Sequence, residues 1–151
     1  MLTERVLRET DLFELKSQPT HFLSYGQKKR VALADILVVS PEILAMDEPL
    51  AWVDPRHERE LLGLLDRFKS QRKTMICSTH DPDFAFAWSE RVVILKEGTV
   101  LGEGEAETIM QKRDLLLEAG FDLPKVVRLA FELGIDSLPR SLDELLYAVR
   151  K

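Results

Sequence analysis

Two short stretches of this 151-residue chain hold residue types suited to phosphate chemistry. Leu23-Ser24-Tyr25-Gly26-Gln27 is a turn of small and polar residues opening into a helix. A helix N-terminus offers backbone N–H groups and the positive end of a dipole to an anion. Ile43-Leu44-Ala45-Met46-Asp47-Glu48-Pro49 is an apolar run ending in two carboxylates. Two acids at the carboxyl end of a buried parallel strand sit where α/β folds place a metal and a general base. His80 closes a later apolar stretch, at the same end of its strand. Each has a plainer reading: Ser24 as an N-cap, the acids as surface turn residues, a lone histidine as surface decoration. His21 and His57 receive that last reading, and Asp54 before Pro55 reads as a helix cap.

The elements that must position these groups follow from periodicity and breakers. Thr3 to Leu15 reads as an amphipathic helix capped by Thr3, with Val6, Leu7, Leu12, Phe13 and Leu15 apolar. Gly26 to Val39 reads as a second helix, with Val31, Leu33, Ala34, Leu37 and Val38 inward and Ser40-Pro41 as its breaker. Ile43 to Met46 and Thr74 to Ser78 read as strands covered on both faces. Pro55 to Lys69 forms the helix between them, and Asp81-Pro82 starts a short helix over Phe84 to Trp88. Val92 to Leu95 is a third strand, turned by Glu97-Gly98 into Thr99 to Gly102, and Glu105 to Lys112 is helical. This alternation predicts an α/β fold with an open, mostly parallel sheet and helices on both faces. Beyond Asp114 the pattern is helical: Pro124 to Leu133 stopped by Gly134, then Leu142 to Arg150 capped by Ser141 with Glu144. The expected division is 1–113 and a helical extension, 114–151.

Composition narrows the class. Hydrophobic residues are 45% and charged residues 31%, a globular balance, and the net charge of −5 argues against nucleic acid as a partner. The single Cys77 excludes an internal disulfide and lies in an apolar run, as a buried structural thiol. No apolar run reaches the roughly 18–20 residues of a membrane span. A cytoplasmic protein is expected, with any membrane role supplied by a partner.

Leu-Ser-Tyr-Gly-Gln, continued by Lys28-Lys29-Arg30-Val31-Ala32-Leu33-Ala34, resembles the signature motif of ATP-binding cassette (ABC) ATPases. That resemblance implies that Ser24, Gly26 and Gln27 meet the γ-phosphate of ATP held by an opposite subunit; Tyr25 departs from the usual glycine. Ile43 to Pro49 resembles a Walker B strand, with Asp47 on Mg²⁺ and Glu48 orienting the attacking water. Leu50-Ala51-Trp52-Val53-Asp54-Pro55 is similar to the D-loop, whose aspartate reaches across the dimer, although Leu50 and Trp52 are bulkier than the family's residues. Ser78-Thr79-His80-Asp81 resembles the H-loop, with His80 at the γ-phosphate and the water. Asp54-Pro55-Arg56 and the tail Leu123 to Ala130 resemble importer ATPases of the cobalt/nickel and energy-coupling-factor vitamin type. In those, a helical extension helps the subunits associate.

The phosphate-binding loop G-x-x-x-x-G-K-[ST] is absent, since the sequence has no Gly-Lys dipeptide. The resemblance therefore implies the C-terminal half of a nucleotide-binding domain, a P-loop NTPase sheet lacking the strand between those ending at His80 and Leu95. Three repairs are expected: the Val92 strand moves inward, two copies exchange strands, or an N-terminal polypeptide completes the sheet. The function expected is the ATP-hydrolysing part of an importer subunit, active with its missing half or an intact ABC subunit. It would work as a homo- or heterodimer at the inner face of the membrane beside transmembrane importer subunits. The alternative is a non-catalytic module that pairs with itself or with an intact ABC subunit. A chromosome-maintenance ATPase head shares the motifs, but the acidic balance and the absence of long heptads speak against it.

Overall fold

A computed structural model describes residues 2–71, 73–135 and 138–150; the side chains of Leu2 and Arg56 fall outside that description. The chain divides into two compact units, Met1–Ser78 and Thr79–Lys151. The boundary between these units falls between Ser78 and Thr79.

In the first unit, α1 (Leu2–Glu9) is shorter than its periodicity predicts, and Thr3 lies inside it instead of capping it. Asp11 takes a left-handed φ of 57°. The Leu12 N–H then reaches back to Leu7 O at 2.7 Å and the Asp11 N–H to Arg8 O at 3.2 Å, a Schellman ending with buried Leu12 as its apolar contact. Only a 3₁₀ turn, Phe13–Leu15, continues the pattern. Helix α2 (Tyr25–Leu37) starts at Ser24 and buries Leu33, Ala34 and Leu37, as its inner face predicts. Strand β1 (Ile43–Asp47) pairs in parallel with β2 (Thr74–Ser78), with Asp47 opposite Ser78. Helix α3 (Pro55–Ser70) connects them, contacts α2 and buries Leu61, Leu64, Leu65 and Phe68.

The strands are covered on one face only, which corrects the two-faced reading of their apolar runs. Leu44 is 2% exposed, but Ile43 is 61% and Ile76 56% exposed. A continuous apolar run reports what a strand can bury, and here the second face has no layer among the described residues.

In the second unit, α4 (Pro82–Trp88) leads to β3 (Arg91–Lys96), which pairs antiparallel with β4 (Thr99–Glu105). The two-residue turn has φ of 49° at Glu97 and 77° at Gly98. Positive φ at both positions matches the twist of a hairpin, and glycine takes it without steric cost. The described ladders are β1 with β2, parallel, and β3 with β4, antiparallel, so the hairpin gives β3 a local partner.

Helix α5 (Ala106–Ile109) is a single turn, shorter than expected. Helices α6 (Arg113–Ala119), α7 (Lys125–Glu132) and α8 (Leu142–Val149) follow. Leu116 and Val127 share one core with Phe86, Val92, Ile94, Ala106, Ile109 and Met110, so the C-terminal helices and the hairpin are one packed body. Arg140 fastens it: its guanidinium donates to Phe86 O at 3.3 Å and Ser89 O at 2.7 Å, and to Glu107 at 3.1 Å. No described helix is long and apolar enough to cross a membrane.

Candidate nucleotide-phosphate site

The site of the first unit is built on two element ends. At the start of α2, Ser24 is extended (φ −62°, ψ 164°) and closes a capping box. The Gln27 N–H donates to Ser24 Oγ at 3.2 Å, and the Ser24 N–H donates to Gln27 Oε1 at 2.8 Å. Each side chain satisfies a backbone donor that the helix leaves open, fixing the turn in place. The capping reading of Ser24 is therefore present in the structure, and it presents an exposed hydroxyl at a helix N-terminus.

At the end of β1, Ser78 Oγ donates to Asp47 Oδ1, and the Glu48 N–H donates to Ser78 O at 3.0 Å. The parallel register thus carries on one residue past the strand and sets where Asp47 and Glu48 stand. Glu48 has a φ of 45° and Trp52 of 62°, both left-handed and uncommon for such side chains. Trp52 is 89% exposed, so its bulk projects from the loop without filling it. Asp54 begins α3: its Oδ1 accepts from the His57 N–H at 3.3 Å, and its Oδ2 lies 2.5 Å from His57 Nδ1.

Two further side chains pack here: Lys29, to which the sequence assigns no role of its own, and His57, which it reads as surface decoration. His57 packs on the signature turn. A Cβ added at Gly26 would lie 3.0 Å from His57 Cβ and Cγ, so glycine is what permits the approach. Lys29 Nζ donates to the carbonyls of Glu48 (3.2 Å), Pro49 (2.8 Å) and Ala51 (2.7 Å), and lies 5.5 Å from the Tyr25 ring centre. Burial pushes this ammonium below its ordinary value, against the opposing pull of the Glu48 carboxylate. In the sequence, Lys29 is one of three consecutive cations and His57 one polar residue on a polar helix face. Only the approach of α2 to the loop distinguishes them.

His80 belongs to the second unit, where its turn is held on both sides. The Asp81 N–H donates to Thr79 Oγ1 at 3.1 Å, and Asp81 Oδ1 accepts from Asp83 N–H at 2.8 Å and Phe84 N–H at 3.2 Å. Asp81 and Pro82 thus start α4 as the sequence predicts. Asp83 in turn accepts from the Lys125 N–H at 2.6 Å, tying α7 to α4. The structure brings Ser24, Gly26, Gln27, Asp47, Glu48 and Asp54 into the first unit and His80 into the second.

Among the described residues, no group of three or more His, Cys, Asp or Glu side chains could hold a metal ion alone. One carboxylate with an adjacent hydroxyl, Asp47 with Ser78, is a donor set that suits Mg²⁺ chiefly bound by phosphates and water.

The α/β arrangement is that of part of a P-loop NTPase fold. Residues 2–51 match the ABC transporter family. The energy-coupling factor transporter ATP-binding protein EcfA of Carboxydothermus hydrogenoformans is 40% identical over 98% of this chain and 55% of its own length. The cobalt import ATP-binding protein CbiO of Rhodobacter capsulatus is 36% identical over 94% of this chain and 53% of its own. The solved structure of cbiO1 from Clostridium perfringens, part of the ABC transporter complex cbiONQ, superposes with a TM-score of 0.69 at 34% identity. That superposition covers 86% of this chain and 52% of that one. The chain is similar to ABC transporter ATP-binding proteins, and it spans about half the length of these relatives.

Proposed function

We propose that this chain supplies the signature, Walker B, D-loop and H-loop part of an ATP-hydrolysing importer subunit, for cobalt, nickel or a vitamin. The observation that carries this reading is the joined cluster of the first unit. There Lys29 of the helix that Ser24 and Gln27 cap is tied to the loop after Asp47–Glu48, and His57 links Gly26 to the Asp54 cap. The relatives of the energy-coupling factor and cobalt type add the importer class.

The roles follow from chemistry. The exposed Ser24 hydroxyl and the N–H groups at the start of α2 are donors for a phosphate carried by another subunit. Asp47, oriented by Ser78, is the carboxylate for Mg²⁺, which when bound would neutralise charge on the phosphate oxygens. Glu48 holds and polarises water at the strand end, and His80 keeps the γ-phosphate role that its resemblance to the H-loop implies. Asp54 both caps α3 and faces the partner across a head-to-tail dimer. Phosphate-loop residues come from another segment or polypeptide, which also gives the open strand edges a partner. Transmembrane importer subunits attach the assembly to the membrane's inner face.

The test is steady-state ATP hydrolysis by the chain combined with a polypeptide bearing the phosphate loop and its strand. Glu48→Gln is expected to lower turnover by about 10²–10⁴, the usual weight of a positioned general base. Equal turnover in Glu48→Gln and wild type would overturn the assignment of Glu48.

A further inference from the structure

We propose that Lys29 is a positioning residue for hydrolysis: it clamps the loop that follows Glu48 and so couples the signature turn of one phosphate site to the water-polarising acid of the other. The proposal rests on the ATPase reading above.

Three carbonyls, those of Glu48, Pro49 and Ala51, converge on one ammonium at 2.7 to 3.2 Å. Carbonyl dipoles crowded together repel one another, and a cation at their focus reverses that repulsion. The loop needs the help. It holds Glu48 and Trp52 in the left-handed region, which is strained for a non-glycine residue. Its own backbone bonds are long: Ala51 N–H to Glu48 O at 3.2 Å and Val53 N–H to Leu50 O at 3.4 Å. Charge-assisted bonds from Lys29 are the stronger ties.

The same side chain is anchored at its other end. Lys29 lies one turn beyond Tyr25, its ammonium faces the Tyr25 ring, and its backbone belongs to the helix that Ser24 and Gln27 cap. A phosphate drawing on the start of α2 therefore moves the residue that fixes the backbone of Glu48. Lys28 and Arg30 do not share this role. Lys28 is exposed, and Arg30 pairs with Glu60 of α3 at 3.3 Å.

Two measurements test the clamp. Hydrogen exchange on the chain itself compares wild type with Lys29→Met, Lys29→Gln and the control Lys28→Met. The amides of Ala51 and Val53 are expected to exchange about tenfold faster in Lys29→Met and by an intermediate factor in Lys29→Gln. Protection in α3 stays unchanged, and Lys28→Met matches wild type. ATP turnover by the chain completed with a phosphate-loop polypeptide is the second. There, kcat is expected to fall about 100-fold in Lys29→Met while KM for ATP stays within about twofold, the pattern of a misplaced reacting group. Unchanged exchange in both Lys29 variants, or unchanged kcat, overturns the proposal. If the completed wild type hydrolyses no ATP, the ATPase reading fails and takes the catalytic role of Lys29 with it. The exchange result then decides by itself whether Lys29 holds the loop.

Discussion

Gly26→Ala probes the contact that seats the signature turn. Taken alone, alanine for glycine inside a helix is worth at most about 1 kcal/mol of added stability. The new methyl, however, would stand 3.0 Å from His57 Cβ and Cγ and 3.1 Å from Cδ2. Carbon atoms settle at about 3.5–4.0 Å, so His57 must retreat by several tenths of an ångström, against its bond to Asp54. Overfilling a packed contact costs about 1–3 kcal/mol. The expected net effect of Gly26→Ala is therefore between no change and a loss of about 2 kcal/mol. In a His57→Gly background, where the Cβ that alanine would keep is also gone, the clash is removed, and the same substitution is expected to stabilise by up to about 1 kcal/mol. The double-mutant cycle should then give a coupling of at least about 1 kcal/mol. Native-state hydrogen exchange at Leu64 and Leu65 of α3, both fully buried, reads the opening of the first unit without contribution from the second. Equal stabilisation by Gly26→Ala in both backgrounds, with coupling under about 0.3 kcal/mol, would refute the contact.

Three other outcomes follow from packing and charge. Phe68, 1% exposed on α3, is expected to lose about 3–5 kcal/mol as Phe68→Ala, measured by the same exchange method; a loss under 1 kcal/mol would place it outside the core. Arg140→Ala leaves the Phe86 and Ser89 carbonyls without their cation and is expected to cost the second unit about 1–3 kcal/mol, read from amide exchange in β3. Burial pushes the Cys77 thiol from 9.0 up to about 11. Because the folded value is raised above the unfolded one, the protonated thiol's contribution to stability is complete below pH 9.0 and is lost as pH rises through about 11. Alkylation of Cys77 at pH 8 should accordingly be slower in the folded chain than in urea; equal rates would contradict that.

The sequence carried the local devices most clearly. Ser24 with Gln27, Asp54 with Pro55, Asp81 with Pro82 and Ser141 with Glu144 are caps whose partners lie three residues or fewer along the chain, and they start helices where expected. The apolar ends at Asp47 and Ser78 were legible for the same reason, since a strand's register needs only its own pattern. What depended on distant chain was not. Lys29 looks like its neighbours until α2 meets the loop at 48–51, and His57 looks like decoration until Gly26 lies beneath it. The early end of α1 rests on Asp11 entering the left-handed region, which an aspartate takes more readily than most residues but does not announce. The uncovered faces at Ile43 and Ile76 are invisible in composition, because an apolar strand reads the same with or without a second layer.

On the proposed reading, this chain holds the acids and donors of an ABC ATPase but no Gly-Lys phosphate loop to cradle its nucleotide. Calorimetric titration of MgATP into the 151-residue chain alone, and into the chain combined with a polypeptide bearing G-x-x-x-x-G-K-[ST] and its strand, tests it most directly. No saturable binding is expected at micromolar MgATP in the first titration, and saturable binding is expected in the second. Micromolar binding by the chain alone would contradict it.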